Sequence, residues 1–379
     1  MTKYKPLEHS LYSRLGEKSF TSRLSSIVID YPLVLSIIAL LTFGLFILYS
    51  ASGQSFSMMI RQSIYILLGI FVMFTLAQFK VKSYEAFSMH FIWFALMILI
   101  IVLVYPAEGF KTDRWIDLGF ITFQPSEIVR LILPLSIASF LTRKQLKVSK
   151  KDWIIALFIT ATCSYLILIQ PDLGTALIIC IAGLLPIFLA GFPLVYLMSI
   201  FMVFLLFSPI IWGALKEYQQ QRILTLFNPE ADPLGTGWNI AQSKTAIGSG
   251  GFYGKGYLQG TQSQLDFIPE SHSDFIFAVI GEEFGFLGIL IFILAYFIIL
   301  IRCLKIALNT NSNFGKIVSS SFAFIFIVYL LTNILMVVGI IPVVGVPLPL
   351  ISQGGTSIII HLIAFGVILS IKKSSYAHY

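Results

Sequence analysis

The residues best suited to chemistry lie between Pro269 and Gly285, where four carboxylates and a histidine lead into a strongly apolar segment. A charged side chain at the centre of a bilayer costs about 2.5–3.5 kcal/mol on insertion scales. A membrane protein therefore keeps such groups where they pair, contact water or react. Carboxylates are common general bases in enzymes. Asp274, at the start of the apolar segment, is thus a candidate for proton transfer, and a helix cap is the alternative role for the same residue.

Other ionisable residues also stand at the edges of apolar segments. Glu127 and Arg130 follow Pro125, which suits the first turn of a helix. Their spacing of three places both side chains on one helix face, close enough to pair. Asp172 begins a further apolar segment. Convergence of such groups from distant parts of a chain is typical of a functional site, whereas a structural ion pair is the plainer interpretation of Glu127 and Arg130.

Glu282 and Glu283 lie deeper in the apolar segment that Asp274 begins. Two turns separate them from Asp274, and consecutive residues point to different sides of a helix. We therefore expect both to bond neighbouring helices rather than to meet a substrate. His272, two residues before Asp274, is expected to form a hydrogen bond at the membrane interface, and proton transfer is the alternative role.

The composition indicates that the surroundings of these residues are a membrane. Of the 379 residues, 57% are hydrophobic and only 11% are charged, and the mean hydropathy is +0.90. A soluble domain usually carries about 25% charged residues. The net charge of +7 does not indicate nucleic-acid binding, because the basic residues stand between hydrophobic runs. The pattern predicts an all-α, polytopic integral membrane protein.

Apolar runs near the roughly 20-residue spanning length recur along the chain. Ten spans are predicted, with an N-terminal segment at 1–31, a ten-helix domain at 32–371 and a tail at 372–379. The spans lie at roughly 32–50, 59–79, 85–105, 124–142, 152–169, 172–191, 193–215, 273–301, 317–341 and 353–371.

The basic residues predict the orientation of these spans. If both termini are cytoplasmic, most of the 25 basic residues fall in cytoplasmic segments, as the positive-inside rule requires. The long segment 216–272, between the seventh and eighth spans, then lies on the outer face. It carries eight glycines, which we expect at turns and close approaches, and a structureless loop of this length is uncommon unless it is functional.

Arg114, Lys244 and Lys255 fall on the same face as Asp274 and are candidate contacts for an anionic substrate.

Five strings stand in a fixed order along the chain. They are Arg114–Ile116 with Phe123–Glu127, Gln170–Thr175, Gln242–Gly251, Pro269–Gly285 and Pro349–Ser357. Together they resemble the SEDS family of bacterial cell-envelope proteins, and most of all its RodA branch rather than its FtsW and SpoVE branches. The ten-span plan of that family covers nearly the whole chain.

The resemblance implies a peptidoglycan glycosyltransferase that polymerises lipid II at the outer face of the bacterial cytoplasmic (inner) membrane, during elongation and rod-shape maintenance. It implies that Asp274 is the family's essential aspartate and that Glu127 and Arg130 occupy its Glu-x-x-Lys pair. Arginine is a departure that keeps the charge but does not lose its proton. A divalent cation (Mg or Mn), a class B penicillin-binding transpeptidase and the rod-shape elongation complex are implied as cofactor and partners.

A mechanistic hypothesis follows for the site. Asp274 would remove a proton from the acceptor hydroxyl, and Arg130 would hold Asp274 ionised and then neutralise the departing diphosphate. Glu127 would orient Arg130 or share a divalent ion. The remaining candidate substrate contacts are Arg114, Asp172, Lys244, Lys255 and His272.

Two other classes of protein remain open. A lipid II flippase or a proton-coupled transporter could use the same acidic residues, and a scaffold would bind a partner without needing them. Transporters tend to bind near the midplane with broken helices in paired repeats, and the sequence shows no internal repeat. The clustering of charges toward the outer face favours the enzyme.

Overall fold

The protein is almost entirely helical in the computed structural model, which describes residues 29–104, 116–117, 122–143, 148–229, 232, 235–265 and 267–376. The first helices are α1 (Tyr31–Ala51), α2 (Phe56–Leu76), α3 (Val81–Val104), α4 (Pro125–Thr142), α5 (Lys150–Ile169), α6 (Leu173–Leu189) and α7 (Leu194–Leu206). They are followed by α8 (Ser208–Ala214), α9 (Glu217–Phe227), α10 (Thr236–Gly250), α11 (Thr261–Gln264), α12 (Ile276–Asn309), α13 (Asn313–Val337) and α14 (Gly355–Tyr376).

The prediction of an all-α membrane protein is confirmed. Eight of the described helices, α1–α5 and α12–α14, are long and apolar enough to cross a membrane, and α6 and α7 are shorter apolar helices. Each predicted span overlaps one of these ten helices, and the seventh also covers α8. The eighth continues to Asn309, beyond its predicted end at residue 301. Within the described ranges there is one sheet. It has two short antiparallel strands, β1 (Ile116–Asp117) and β2 (Thr122–Phe123). The orientation and the segment boundaries stay predictions.

Helix α4 lies at the centre of the bundle. It packs against α3, α5, α6, α13 and α14, and most of its residues are buried. A second group of contacts joins α12 to α1, α10 and α13, and α14 to α2. Many large apolar side chains on the outer surface, such as Phe71, Trp93 and Phe158, are exposed, as expected for helices that face lipid tails.

The predicted cytoplasmic end is held by a buried carboxylate. Asp30 caps α1 by accepting from the Leu33 N–H at 3.0 Å. Its carboxylate also accepts hydrogen bonds from Arg302 Nη2 at 2.6 Å and from Lys372 Nζ at 2.9 Å. Burial alone would raise the pKa of Asp30, but the hydrogen bonds from Arg302 and Lys372 outweigh it and hold that pKa below its ordinary value. The start of α1 is thereby bonded to the last turns of α12 and α14.

The segment 216–272, predicted as one long outer loop, is not irregular throughout. Within its described residues lie α9, α10 and α11. Its glycines do occupy turns and close approaches, as predicted. At Gly250, a Cβ would stand 2.0 Å from the carbonyl oxygen of Gly281, so only a residue without a side chain lets α10 pack this closely on α12.

Helix α12 is broken at Gly285, which has φ 63° and ψ −162°, a region open essentially to glycine alone. A break in a membrane helix frees backbone groups that need partners. The turn 251–256 supplies them. Phe286 N–H donates to the Gly251 carbonyl at 2.9 Å, and Lys255 N–H donates to the Glu282 carbonyl at 3.0 Å. The glycine-rich turn and the break in α12 therefore form one unit.

Gly285→Ala should destabilise the protein by about 3 kcal/mol or more, because the alanine must adopt this conformation and its Cβ would lie 2.3 Å from the Gly254 nitrogen. Thermal unfolding of the purified protein in detergent measures the loss. Gly53→Ala is the matched control, since Gly53 also has positive φ but no atom within 4 Å of its Cβ position. Equal losses in the two variants would show that close packing at the break contributes nothing.

Candidate functional site

Asp274 lies in a turn just before α12, and backbone hydrogen bonds fix that turn. Three successive carbonyls each accept one bond. Gln353 N–H donates to His272 at 3.0 Å, Ser352 Oγ donates to Ser273 at 2.5 Å, and Asn333 Nδ2 donates to Asp274 at 2.8 Å. The turn is thus positioned by α13 and by the segment that precedes α14, and not by α12 alone.

The segment between α13 and α14 is irregular. Asn333 Nδ2 also donates to the Val346 carbonyl at 2.8 Å, and Leu348 N–H donates to Ser352 Oγ at 2.8 Å. Gln62 on α2 donates to the Ser352 carbonyl at 3.0 Å. The Ser352–Gln353 string therefore has a physical role: it holds the turn of Asp274.

The Asp274 carboxyl has a raised affinity for its proton. Burial and the nearby charge of Glu270 raise the pKa of Asp274 to about 6, although the positive charge of Arg222 opposes them. A Cβ at Gly345, where φ is +70°, would lie 3.5 Å from the Asp274 Oδ2. The absence of a side chain at Gly345 leaves the carboxylate room for a reacting group.

Arg222 on α9 is a functional candidate that the sequence reasoning missed. Its guanidinium donates to the Val343 carbonyl at 3.2 Å, and it lines a cavity of about 350 Å³ together with Tyr218 and Asp172. The signal was present in the sequence as one arginine on an 11-residue amphipathic stretch of the outer segment. Because the segment was predicted as a loop, no role was predicted for Arg222.

Asp172 links two helix starts. Its Oδ1 accepts from the Thr175 N–H at 3.1 Å and so caps α6. Its Oδ2 accepts from Gln124 Nε2 at 3.1 Å, which joins it to the start of α4. The structure therefore supports a positional role for Asp172 at the wall of the cavity.

Glu127 and Arg130 do not form the contact ion pair that their spacing allows, although the charge of Arg130 still acts on the Glu127 carboxyl. No ion pair within 4.0 Å joins them in the described part of the chain. Glu127 lies within hydrogen-bonding reach of the Thr356 hydroxyl, whereas the Arg130 guanidinium stacks 4.3 Å from the centre of the Tyr329 ring. Desolvated stacking of this kind stabilises a cation by about 2 kcal/mol. Intrahelical spacing permitted the pair, but partners on α13 and α14 compete for both side chains.

Tyr329 connects the arginine to the catalytic candidate. It stands four residues before Asn333 on α13, so the two side chains lie one above the other on one face. Arg130 therefore contacts α13 one turn away from the residue that fixes the Asp274 turn. The two groups are joined through this helix rather than by direct contact.

His361 on α14 is a second residue that the sequence reasoning passed over. Its Nδ1 lies 2.8 Å from the Ser357 carbonyl, which can only accept, so Nδ1 carries the proton and Nε2 is an acceptor. Nε2 and the Arg130 Nη2 have no hydrogen-bond partner among the described residues. Both side chains line one small cavity of about 20 Å³, which is large enough for a single water.

The other predicted site residues are less closely connected to Asp274. Lys255 donates to the buried Glu282 carboxylate at 2.7 Å, which places it in the unit around the α12 break. Lys244 is exposed on α10, with its Nζ close to Gly339. His272 contributes its backbone carbonyl to the turn. Arg114 lies outside the described residues.

Glu282 and Glu283 bond neighbouring elements, as expected. Glu282 accepts from Lys255 and from the backbone N–H groups of Gln262 and Ser263, and Glu283 accepts from the Ser50 hydroxyl on α1. Both side chains join structural elements. The described residues contain no group of three or more histidine, cysteine, aspartate or glutamate side chains that could hold a metal ion.

The fold and these polar groups define a polytopic helical membrane protein with a carboxylate held at a helix start. The chain belongs to the FtsW, RodA and SpoVE family, since the family model described as "Cell cycle protein" matches residues 24–377. It is 42% identical over 344 residues to "Peptidoglycan glycosyltransferase MrdB" of Escherichia coli, covering 90% of this chain and 93% of the relative. It is 32% identical to "Stage V sporulation protein E" of Bacillus subtilis, covering 91% and 97%.

Solved structures agree with this membership. A chain from the work "Structural coordination of polymerization and crosslinking by a peptidoglycan synthase complex" superposes with a TM-score of 0.81 at 29% identity, covering 92% of this chain and 99% of the other. The Rod shape determining protein RodA of Thermus thermophilus superposes with a TM-score of 0.71 at 26% identity, covering 92% and 98%. The resemblance inferred from the five strings is confirmed.

Asn333→Leu should loosen the Asp274 turn. Leucine keeps the branched shape of the side chain but leaves the carbonyls of Asp274 and Val346 without their donor, at about 1–3 kcal/mol each. Hydrogen–deuterium exchange should show faster uptake in 271–278 and 346–354 and no change in α10. Asn313→Leu, at the exposed start of the same helix, serves as the control. Unchanged uptake around the turn in Asn333→Leu would contradict the positioning role.

Proposed function

We propose that this chain is a peptidoglycan glycosyltransferase that polymerises lipid II into glycan strands at the outer face of the cytoplasmic membrane. The observation that carries the proposal is the hydrogen-bonded turn that presents Asp274 beside Arg222. Burial raises the pKa of Asp274 there to about 6. Family membership supports the activity, since relatives that cover nearly the whole chain bear that name.

The reaction needs one base and positive charge. The acceptor sugar hydroxyl attacks the anomeric carbon of the donor, and the bond to undecaprenyl diphosphate breaks with inversion. Asp274 takes the hydroxyl proton as the new glycosidic bond forms. A pKa near 6 leaves Asp274 mostly ionised at pH 7 and yet basic enough to be effective, because a general base works best with a pKa near the operating pH.

We propose that Arg222 contacts the departing diphosphate. Its guanidinium lines the cavity and acts electrostatically on Asp274, and guanidinium groups bind phosphate oxygens in a bidentate manner. Arg130 is buried and stacks on Tyr329, so its charge acts on the site from a distance. Its role is to position α13. Arg114 and Lys244 stay predicted anion contacts, whereas Lys255 is committed to Glu282.

A divalent cation is not assigned a step. The described donors do not form a protein-only cation site, and Asp274 and Glu270 are the carboxylates nearest the proposed reaction. Mg²⁺ commonly binds through one or two carboxylates and substrate phosphates, so any ion here would depend on the diphosphate for its ligands.

The proposed setting is wall elongation in a bacterial inner membrane. The greater identity to MrdB (42%) than to an FtsW relative (33%) supports an elongation role over division. A class B penicillin-binding transpeptidase and the elongation complex are the proposed partners. The structural neighbour from a synthase complex that couples polymerization and crosslinking supports a partner of that kind.

A lipid II flippase or proton-coupled transporter is the alternative, and the break in α12 is the feature that favours it, because transporters use broken helices. Here the backbone groups at the break are bonded by the 251–256 turn, and Glu282 is held by four donors. A carboxylate so fully bonded is poorly suited to bind and release a proton.

Asp274→Asn should lower the rate of lipid II polymerisation by about 10²–10⁴-fold, because the amide cannot accept the hydroxyl proton. The measurement is glycan-strand synthesis from purified lipid II by the full chain in the presence of its cognate transpeptidase. Asp232→Asn is the control, since Asp232 Oδ2 accepts from the Thr236 N–H at the start of α10 and the asparagine side-chain oxygen can accept the same bond. A folded Asp274→Asn protein with the wild-type rate would refute the proposed base, and lipid translocation without polymerisation would favour the transporter.

The pH profile should respond in opposite directions to two neighbouring charges. Activity should fall below about pH 6 as Asp274 becomes protonated. Arg222→Gln removes a charge that lowers the pKa of Asp274, so the acidic limb should move to higher pH. Glu270→Gln removes a charge that raises this pKa, so the limb should move to lower pH. Arg222→Lys retains the charge and the limb position. Shifts in one common direction would contradict the assignment.

A further inference from the structure

A cavity of about 480 Å³ lies at the end of the bundle opposite Asp274. Three chain segments form its wall: the turn from α2 into α3 (78–85), the turn from α12 into α13 (310–312) and the last turns of α14 (370–375). Ser370 Oγ donates to the Phe79 carbonyl at 2.6 Å and closes the inner wall. By the positive-inside prediction this end faces the cytoplasm.

The side chains of the wall carry a net positive charge. Three lysines, Lys80, Lys82 and Lys373, oppose the single carboxylate of Glu85. Lys373 Nζ donates to Gln78 Oε1 at 2.8 Å, which keeps its ammonium at the cavity rather than free in solution. The neighbouring Lys372 is turned toward Asp30. The charge of the three lysines is therefore available to an anion inside the cavity.

Neutral hydrogen-bonding groups complete the wall. Thr310, Asn311 and Ser312 line it beside Ser374 and Ser375. Helices α3 and α13 both begin there, at Val81 and Asn313, so the positive ends of two helix dipoles add to the lysines. Hydroxyl, amide and ammonium donors around a space of this size match the several oxygens of a phosphate group.

The surroundings of the cavity are apolar and exposed. Phe79 on its wall is 52% exposed, and Leu308, two residues before Thr310, is 79% exposed. Such side chains at a helix end meet acyl tails in a bilayer. A ligand that has both a phosphate and tails satisfies the lysines and these apolar groups together, whereas free phosphate satisfies only the lysines.

We propose that this cavity, here called the Lys80 cavity, binds the phosphodiester headgroup of an anionic phospholipid. Basic pockets between membrane helices on the cytoplasmic side bind such headgroups in other proteins. The bound lipid would bridge α2, α13 and α14. Since α13 and α14 lead into the segment that positions Asp274, occupancy would also brace the helices that carry the site.

Native mass spectrometry of the full chain in detergent tests the proposal, with dioctanoyl-phosphatidylglycerol as the probe. A variant with Lys80→Gln, Lys82→Gln and Lys373→Gln should bind this probe on the order of a hundredfold more weakly than the wild type, at about a fivefold loss for each lysine. The control variant carries Lys150→Gln, Lys305→Gln and Lys316→Gln. These lysines are exposed, are predicted to lie on the same face, and do not line the cavity.

The lipid comparison uses dioctanoyl-phosphatidylcholine and glycerol 3-phosphate as further probes. The proposal expects tight binding of the anionic lipid alone, retained by the control variant and by a triple Lys→Arg variant of Lys80, Lys82 and Lys373. Equal losses of lipid binding in the two glutamine variants would show that any surface lysine contributes equally. That result would overturn the proposed site. Glycerol 3-phosphate bound as tightly as the lipid would overturn the lipid assignment and indicate a soluble phosphate ligand.

Discussion

The arrangement of the site depends on one buried amide. Asn333 is fully buried on α13 and donates to two backbone carbonyls, those of Asp274 and Val346. These carbonyls belong to chain segments about 70 residues apart that share no helix. In the low dielectric of a membrane protein an unpaired carbonyl is costly, so the two segments are fixed where the amide can reach both. The position of the Asp274 carboxylate follows from this constraint.

Much of the fold was predictable because a bilayer imposes simple requirements. Segments such as Tyr31–Ala51 and Asn313–Val337 are apolar for the full spanning length, so periodicity and length were enough to find them. The helices α9 and α10 lay in a segment where hydropathy carries no such requirement. Their positions depend on packing, as where α10 meets α12 at Gly250 and Gly281. The α7–α8 boundary at Phe207 lies inside an apolar run that hydropathy alone predicts as one span.

The candidate site was predictable in its central residue and less so in its partners. Asp274 stood out because a carboxylate at the edge of an apolar helix is costly without a role. Arg222, Asn333 and His361 did not, since a single arginine in an outer segment and single polar residues within spans are common. The Glu127–Arg130 pair failed for a related reason. Spacing along one helix shows which groups can meet, whereas the choice of Tyr329 and Thr356 as partners depends on α13 and α14.

The four carboxylates between Pro269 and Gly285 differ most in how many donors they have. Glu282 is bonded by four groups and Glu283 by Ser50, while Glu270 accepts from Ser273 at 2.6 Å. No described group donates to the Asp274 carboxylate, although its backbone carbonyl is firmly held. A carboxylate with many donors is a stable anion and a weak base. Asp274 therefore combines a fixed backbone with a carboxylate still free to take a proton, and that difference separates the reactive group from its structural neighbours.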